Sequence, residues 1–251
     1  MDQIITRHRH ELKRRTLTVR ETGYLTPHMI RMVLHSEELA DFTSLGADDH
    51  IKLIFPGTDE NDEKPEMREY TPRRFDTERC ELVLDFAVHD AGPATDWAIK
   101  AAPGDTLNIG GPRGSAVIAP VFDWWLLIGD ETALPAIGRR VEETPAGPRI
   151  ITLAAVPGAE DEQRFETGAA LQSHWVHRPV AEAHEAGTLL DAVRALDLPE
   201  GKGFVWIAAE AQVARTLKQH FLEERGHPAQ HLKAAGYWVR GDAGGSDKAL
   251  D

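Results

Sequence analysis

The chain has 251 residues, a formal net charge of −13 and a single cysteine, Cys80. That length holds one large or two medium domains with a real core, and the acidic balance speaks against general nucleic-acid binding, which needs a basic face. One cysteine excludes an intrachain disulfide and any four-cysteine iron–sulfur cluster, so any electron traffic must run through an organic cofactor.

Met1 to Arg15 is polar and basic and lacks the apolar core of a signal peptide. Arg7, His8, Arg9 and His10 read as a mobile basic arm rather than a metal site. Leu17 and Val19 then share one strand face, with Thr16, Thr18 and Arg20 on the other. Leu82, Leu84, Phe86 and Val88 alternate with Glu81, Val83, Asp85 and Ala87 in a strand running to His89. Period-two patterning, cut by Pro56-Gly57 and Pro103-Gly104, predicts antiparallel β structure. The charged stretch Gly57 to Glu66 reads as an exposed loop, and one helix runs from near Pro93 to before Pro103.

After Pro120 the style changes. Short apolar runs at Trp124–Ile128, Ile150–Val156 and Phe204–Ala209 suit strands buried on both faces of a parallel sheet. Helical stripes alternate with them: Leu189, Leu190, Val193 and Leu196, then Val213, Leu217 and Phe221. Strand–helix alternation predicts a doubly wound α/β domain. The boundary belongs between residues 116 and 123, giving a β-barrel domain over 1–118 and an α/β domain over 119–251. Trp124-Trp125 reads as packing at a sheet edge. His174 and His177 fall on opposite strand faces and do not share a metal. The tail from Asp242 to Asp251 is small and polar and expected to be mobile. No apolar run is of transmembrane length, so a cytoplasmic protein is expected.

Arg68-Glu69-Tyr70-Thr71 carries the most chemistry. An Arg neutralises a phosphate, a Tyr ring stacks on a flat isoalloxazine, and a Thr hydroxyl reaches a ring nitrogen whose protonation changes with redox state. Gly92-Pro93-Ala94-Thr95 opens a helix, because Pro suits an early helical position. The free N–H groups there favour an anion. In the second half, Gly129-Asp130-Glu131-Thr132-Ala133 follows a buried strand and leads into a helix with Arg139 and Arg140. A doubly wound domain binds its nucleotide at such a turn. There is no Gly-x-Gly-x-x-Gly, no P-loop and no Gly-x-Ser-x-Gly elbow.

This order of motifs, from about Thr16 to about Gly241, resembles the siderophore-interacting protein family of flavin-dependent ferric-siderophore reductases. The resemblance implies a ferredoxin-reductase-like architecture: an antiparallel β-barrel flavin domain, then a doubly wound parallel α/β nucleotide domain. It implies FAD, held by Arg68, Glu69, Tyr70 and Thr71, by the strand end Asp85, Phe86, Val88 and His89, and by Gly92, Pro93, Ala94, Thr95 and Trp97. Tyr70 and Thr71 would position the reacting ring. It places Asp130, Glu131, Thr132 and Ala133, with Tyr237 and Trp238 of the C-terminal aromatic–basic motif, near the flavin and nicotinamide. Lys52 and Arg240 match family basic residues and would meet an anionic ferric siderophore, with Arg113 as a third candidate. Ala209 stands where the family usually has Gly before Glu210. NADPH is the expected donor on family grounds, with NADH open and Arg164 or Arg139 as the cation for a 2′-phosphate. Alternatives are electrons from ferredoxin, or a siderophore carrier without catalysis.

Overall fold

The computed structural model describes residues 4–55, 65–89, 92–242, 244–247 and 250. The expected loop from Gly57 falls almost wholly outside them. Two compact units emerge, one over Ile5–Ile118 and one from Ala119 onward that also takes in Ile4.

The first unit holds β1 (Ile5–Arg9), β2 (Arg14–Thr26), β3 (Met29–His35), β4 (Ile51–Phe55), β5 (Glu66–Tyr70), β6 (Arg74–Asp76), β7 (Glu81–Ala87), α1 (Pro93–Lys100), β8 (Thr106–Gly110) and β9 (Gly114–Ile118). Seven strands pair antiparallel in the order β5-β4-β8-β2-β3-β7-β6. The edge strands β5 and β6 are joined by only Thr71, Pro72 and Arg73. So short a link spans little more than ~10 Å, so the sheet must curl until its two edges meet. Inside the curl lie Leu17, Val19, Met32, Leu34, Ile51, Leu53, Leu82, Leu84, Phe86, Leu107 and Ile109. Each such side chain contributes about 1.5–3 kcal/mol by leaving water.

Two expectations fail here. The basic N-terminal segment is no mobile arm. Ile5–Arg9 pairs in register with Gly114–Ile118, and His10 Nε2 lies 2.7 Å from Ser115 Oγ, which donates to buried Asp49 at 2.5 Å. Its polar composition hid a strand whose pairing partner lies a hundred residues away. In β7 both faces are covered: Val83, Asp85 and Ala87 are buried as well as Leu82, Leu84 and Phe86. The strand also ends at Ala87, two residues short of His89.

The second unit holds β10 (Trp124–Gly129), α2 (Leu134–Glu143), β11 (Arg149–Val156), β12 (Ala170–His177), α3 (Gly187–Ala195), β13 (Gly203–Glu210), α4 (Ala211–Gln219) and β14 (Leu232–Trp238). All five strands are parallel, in the order β12-β11-β10-β13-β14. The first strand is central and later strands add to either side, so the connection reverses between β10 and β13. That reversal opens a crevice at the carboxyl ends of the strands. Trp124 and Trp125 are packing residues, but they start the central strand and are both 4 % exposed, not at an outer edge. Val213 and Leu217 on α4, and Phe221 just beyond it, pack into the same core as Leu189 and Val193 of α3. The C-terminal tail is held rather than mobile across its described residues. Gly236 and Asp247 exchange backbone hydrogen bonds at 2.7 and 2.8 Å, Arg215 reaches Asp247 at 2.9 Å, and Leu250 is buried.

Candidate active site

In the first unit, β5 presents its two faces differently. Arg68 stands opposite Leu53 and Tyr70 opposite Ile51, both buried core residues. Directly opposed residues of an antiparallel pair share a face. Arg68 and Tyr70 therefore lie on the core-side face, at the sheet's edge. Tyr70 packs its ring 4.7 Å from that of Phe86, and burial pushes its hydroxyl pKa well above the usual phenol range. Arg68 donates to Glu66 Oε2 and to the Met67 carbonyl, both at 2.9 Å. Thr71 follows, buried, at the turn into β6.

Next to this edge β7 is paired unevenly. Among the described residues β6 pairs only with Glu81–Val83, leaving Leu84–Ala87 with a strand neighbour on the β3 side alone. Asp85 is on this segment, but its carboxylate is committed. It takes two 2.7 Å bonds from Arg31 and lies 3.8 Å from Arg73. Phe86 is sealed in the core, so Asp85 and Phe86 offer a ligand only their backbone. Val88 is half-buried against the core and His89 is exposed.

Helix α1 begins at Gly92, which has no side chain to cap the first amides, and Pro93 sits at its start. No described atom lies within 4 Å of where a side chain on Gly92 would begin. Ala94 and Thr95 are buried, and Trp97 packs against Phe55 and Phe86. Arginine, tyrosine ring, buried hydroxyl, unevenly paired strand and uncapped helix start form a donor set that suits a flavin carrying a diphosphate.

The outer face of the same sheet carries cations. Lys52 is exposed and opposes Glu69, so it points away from the face of Arg68 and Tyr70. Glu69 lies 3.4 Å from His50. On its other side Lys52 stands opposite Gly110, and Gly110 in turn opposes the exposed Arg14. Lys52 and Arg14 thus flank a glycine on one face, and no ion pair ties either to a described residue. Arg113, also exposed, lies in the following turn. Arg14 escaped sequence reading because only the register of three strands brings it level with Lys52.

In the second unit the strand ends converge on Asp130. Its carboxylate accepts from the Thr132 amide (3.0 Å) and hydroxyl (2.5 Å), the Glu210 amide (3.1 Å) and the Trp238 indole (2.9 Å). Four donors tie together the ends of β10, β13 and β14. Gly129 is required just before it, because a Cβ would come within 2.4 Å of Ala133 and 2.6 Å of the Ala208 carbonyl. Glu210 caps α4, accepting from the Gln212 and Val213 amides and the Arg240 amide. The Arg240 side chain is exposed, and Tyr237 meets Trp206 edge-on. A small pocket of about 10 Å³ at these strand ends is lined by Asp130, Ala155, Arg178, Glu185, Thr188 and Ala209, among others.

Glu131 pairs with Arg178 at 2.6 Å, and both are buried. Burial, then the neighbouring Asp130, pushes the Glu131 carboxyl up, while Arg178 pulls it down. Arg178 follows β12 directly. Sequence reading sought a phosphate cation after the second strand and passed over the third. Arg139 is 2 % exposed and bound to Glu143 at 2.6 Å, whereas Arg164 is exposed. Among the described residues no His/Cys/Asp/Glu group is arranged to hold a metal ion, and no helix is long and apolar enough to cross a membrane.

A curled antiparallel unit followed by a five-stranded parallel unit defines the ferredoxin-reductase-like class. The cytochrome b5 reductase domain of Ulva prolifera nitrate reductase shares this fold at a TM-score of 0.65 and 16% identity, covering 86% of this chain and 94% of that one. The particular family follows from closer matches. The family model for the siderophore-interacting FAD-binding domain matches residues 18–62 and 57–116, and that for siderophore-interacting protein matches 122–241. The NADPH-dependent ferric-chelate reductase of Escherichia coli (strain K12) is 32% identical over 248 residues, covering 92% of this chain and 94% of its own. A siderophore utilization protein from T. fusca superposes with a TM-score of 0.89 at 34% identity, covering 98% of this chain and all of that one. The chain belongs to the siderophore-interacting protein family.

Proposed function

We propose that this protein is an FAD-dependent ferric-siderophore reductase that draws its electrons from NADPH and releases iron in the cytoplasm. The observation that carries the reading is the Arg68–Thr71 run on an edge strand, beside the unevenly paired β7 and the uncapped start of α1. The family's FAD-binding domain matches over this same region, and the E. coli relative is an NADPH-dependent reductase of ferric chelates.

When bound, the flavin would accept a hydride from the nicotinamide and deliver single electrons to Fe(III). The protein's own residues supply placement and charge. Arg68 would exchange its bond to Glu66 for a phosphate oxygen, and the α1 amides at Ala94 and Thr95 would hold the diphosphate. Tyr70, fixed by Phe86, would support the ring, and Thr71 would offer it a hydroxyl. Asp130 holds the carboxyl ends of three strands in one arrangement, at the place where the dinucleotide would bind. Lys52, Arg14 and Arg113 of the first unit supply positive charge toward an anionic siderophore, which an acidic chain otherwise repels. Fe(III) is a hard ion held by hard oxygen ligands, and reduction weakens that hold. No side chain needs to act as an iron ligand.

The first test is spectroscopic. Protein purified without added cofactor should be yellow, with bands near ~450 nm from oxidised flavin, and acid release should yield FAD rather than FMN. Colourless protein that cannot be reconstituted with FAD would instead leave a siderophore carrier.

A further inference from the structure

Arg178 and Glu131 lie at the ends of β12 and β10, with β11 between them. The Arg178 amide is fixed to the Val156 carbonyl at 3.0 Å. Its side chain and that of Glu131 together span two strand spacings, about 9–10 Å, and meet at 2.6 and 3.5 Å. The pair forms a bar across the end of β11. Both side chains are more than nine-tenths buried. Ion pairs so placed seldom stabilise a fold more than an apolar pair of the same size, because desolvation offsets their attraction. Stability alone therefore gives little reason for this one.

The crevice supplies another reason. Arg178 lines it, and among the described lining residues it is the only Lys or Arg, against the carboxylates of Asp130 and Glu185. Asp130 is already engaged by four donors. A polyanionic ligand entering here has one guanidinium to meet, and that group is occupied by a carboxylate of matching fork geometry.

We propose that the Glu131–Arg178 pair is an internal anion switch: a phosphate group of the nicotinamide dinucleotide displaces the Glu131 carboxylate from Arg178, so that Glu131 sets the affinity of the crevice for its electron donor. This rests on the reading of the second unit as the dinucleotide-binding unit. Glu131 serves as a built-in competitor that keeps Arg178 neutralised while the crevice is empty. The two residues should therefore act in opposite directions on binding, although they form one ion pair.

The test is isothermal calorimetry on flavin-loaded protein with NADP⁺ and NAD⁺ as titrants, comparing wild type with E131Q, R178A and R178K. Melting temperatures and flavin content identify variants that fold. E131Q should bind NADP⁺ about ten-fold tighter, because the competing charge is gone. R178A should bind about 10- to 100-fold more weakly, and R178K should fall between, keeping the charge without the fork. An equal loss for both titrants in R178A assigns the contact to the diphosphate, and a loss confined to NADP⁺ assigns it to the 2′-phosphate. If E131Q weakens binding as R178A does, or neither folded variant changes it, the pair is structural and the proposal is overturned. If wild type binds neither dinucleotide, the donor reading itself fails and takes this one with it.

Discussion

Asp130 should couple the central strand β10 to the edge strand β14, and a double-mutant cycle with Trp238 measures that coupling. One carboxylate oxygen serves Thr132, and the other takes both the Glu210 amide and the Trp238 indole. In Asp130→Asn the amide keeps its oxygen toward Thr132 and turns its NH₂ onto two donors. Two bonds to a charged acceptor are lost at about 1.5–3 kcal/mol each, so the variant should lose about 3–6 kcal/mol. Trp238→Phe removes only the indole donor and should cost about 1.5 kcal/mol in the wild-type background. In the Asn background that indole has no acceptor to lose, so the same change should cost almost nothing, a coupling of about 1.5 kcal/mol. Urea unfolding followed by far-UV circular dichroism reads all four corners. Equal costs of Trp238→Phe in both backgrounds would refute the claim that Asp130 holds β14 to the crevice.

Arg68→Ala should lower FAD occupancy after extensive dialysis, since one charge-assisted phosphate contact is worth about 1.5–3 kcal/mol; unchanged occupancy removes Arg68 from the flavin site. Lys52→Ala and Arg14→Ala should each raise KM for an anionic ferric siderophore several-fold and spare a neutral iron chelate. Added salt should weaken wild-type substrate binding by screening that charge beyond about 8–10 Å; a KM indifferent to both changes and to salt puts the siderophore elsewhere. Asp41 is held at a pKa of about 2 by Lys13 and then Arg15. A depressed carboxylate contributes stability above its unfolded pKa of about 3.9, and loses that contribution as pH falls toward 2. Asp41→Asn should therefore flatten the acid-unfolding curve between those two pH values, and an unaltered curve would contradict the assignment.

The parallel sheet was legible because Trp124–Ile128, Ile150–Val156 and Phe204–Ala209 are continuous apolar runs, and burial on both faces leaves just that signature. Leu17 and Val19 likewise revealed β2 through alternation. β1 was not legible, because its exposed residues are Thr6, Arg7, His8 and Arg9 and nothing in their order announces a distant partner. Asp85 falls on the second face of an alternating strand, and only the structure brings Arg31 to neutralise it inside. Asp130 and Glu131 were flagged by their place after a buried strand. What they do there depends on Glu210, Trp238 and Arg178, which lie 80, 108 and 47 residues away and carry no local sign of the meeting.

The central claim is that electrons pass from a nicotinamide through bound FAD to siderophore-held iron. Anaerobic mixing of the flavin-loaded protein with NADPH or NADH, then with a panel of ferric siderophores and an Fe(II)-specific chelator, tests it most directly. The account predicts bleaching of the flavin bands by NADPH, their return on adding the ferric siderophore, and trapped Fe(II) in an amount matching the electrons supplied. Flavin that bleaches and then stays reduced in the presence of every ferric siderophore, with no Fe(II) trapped, would contradict it.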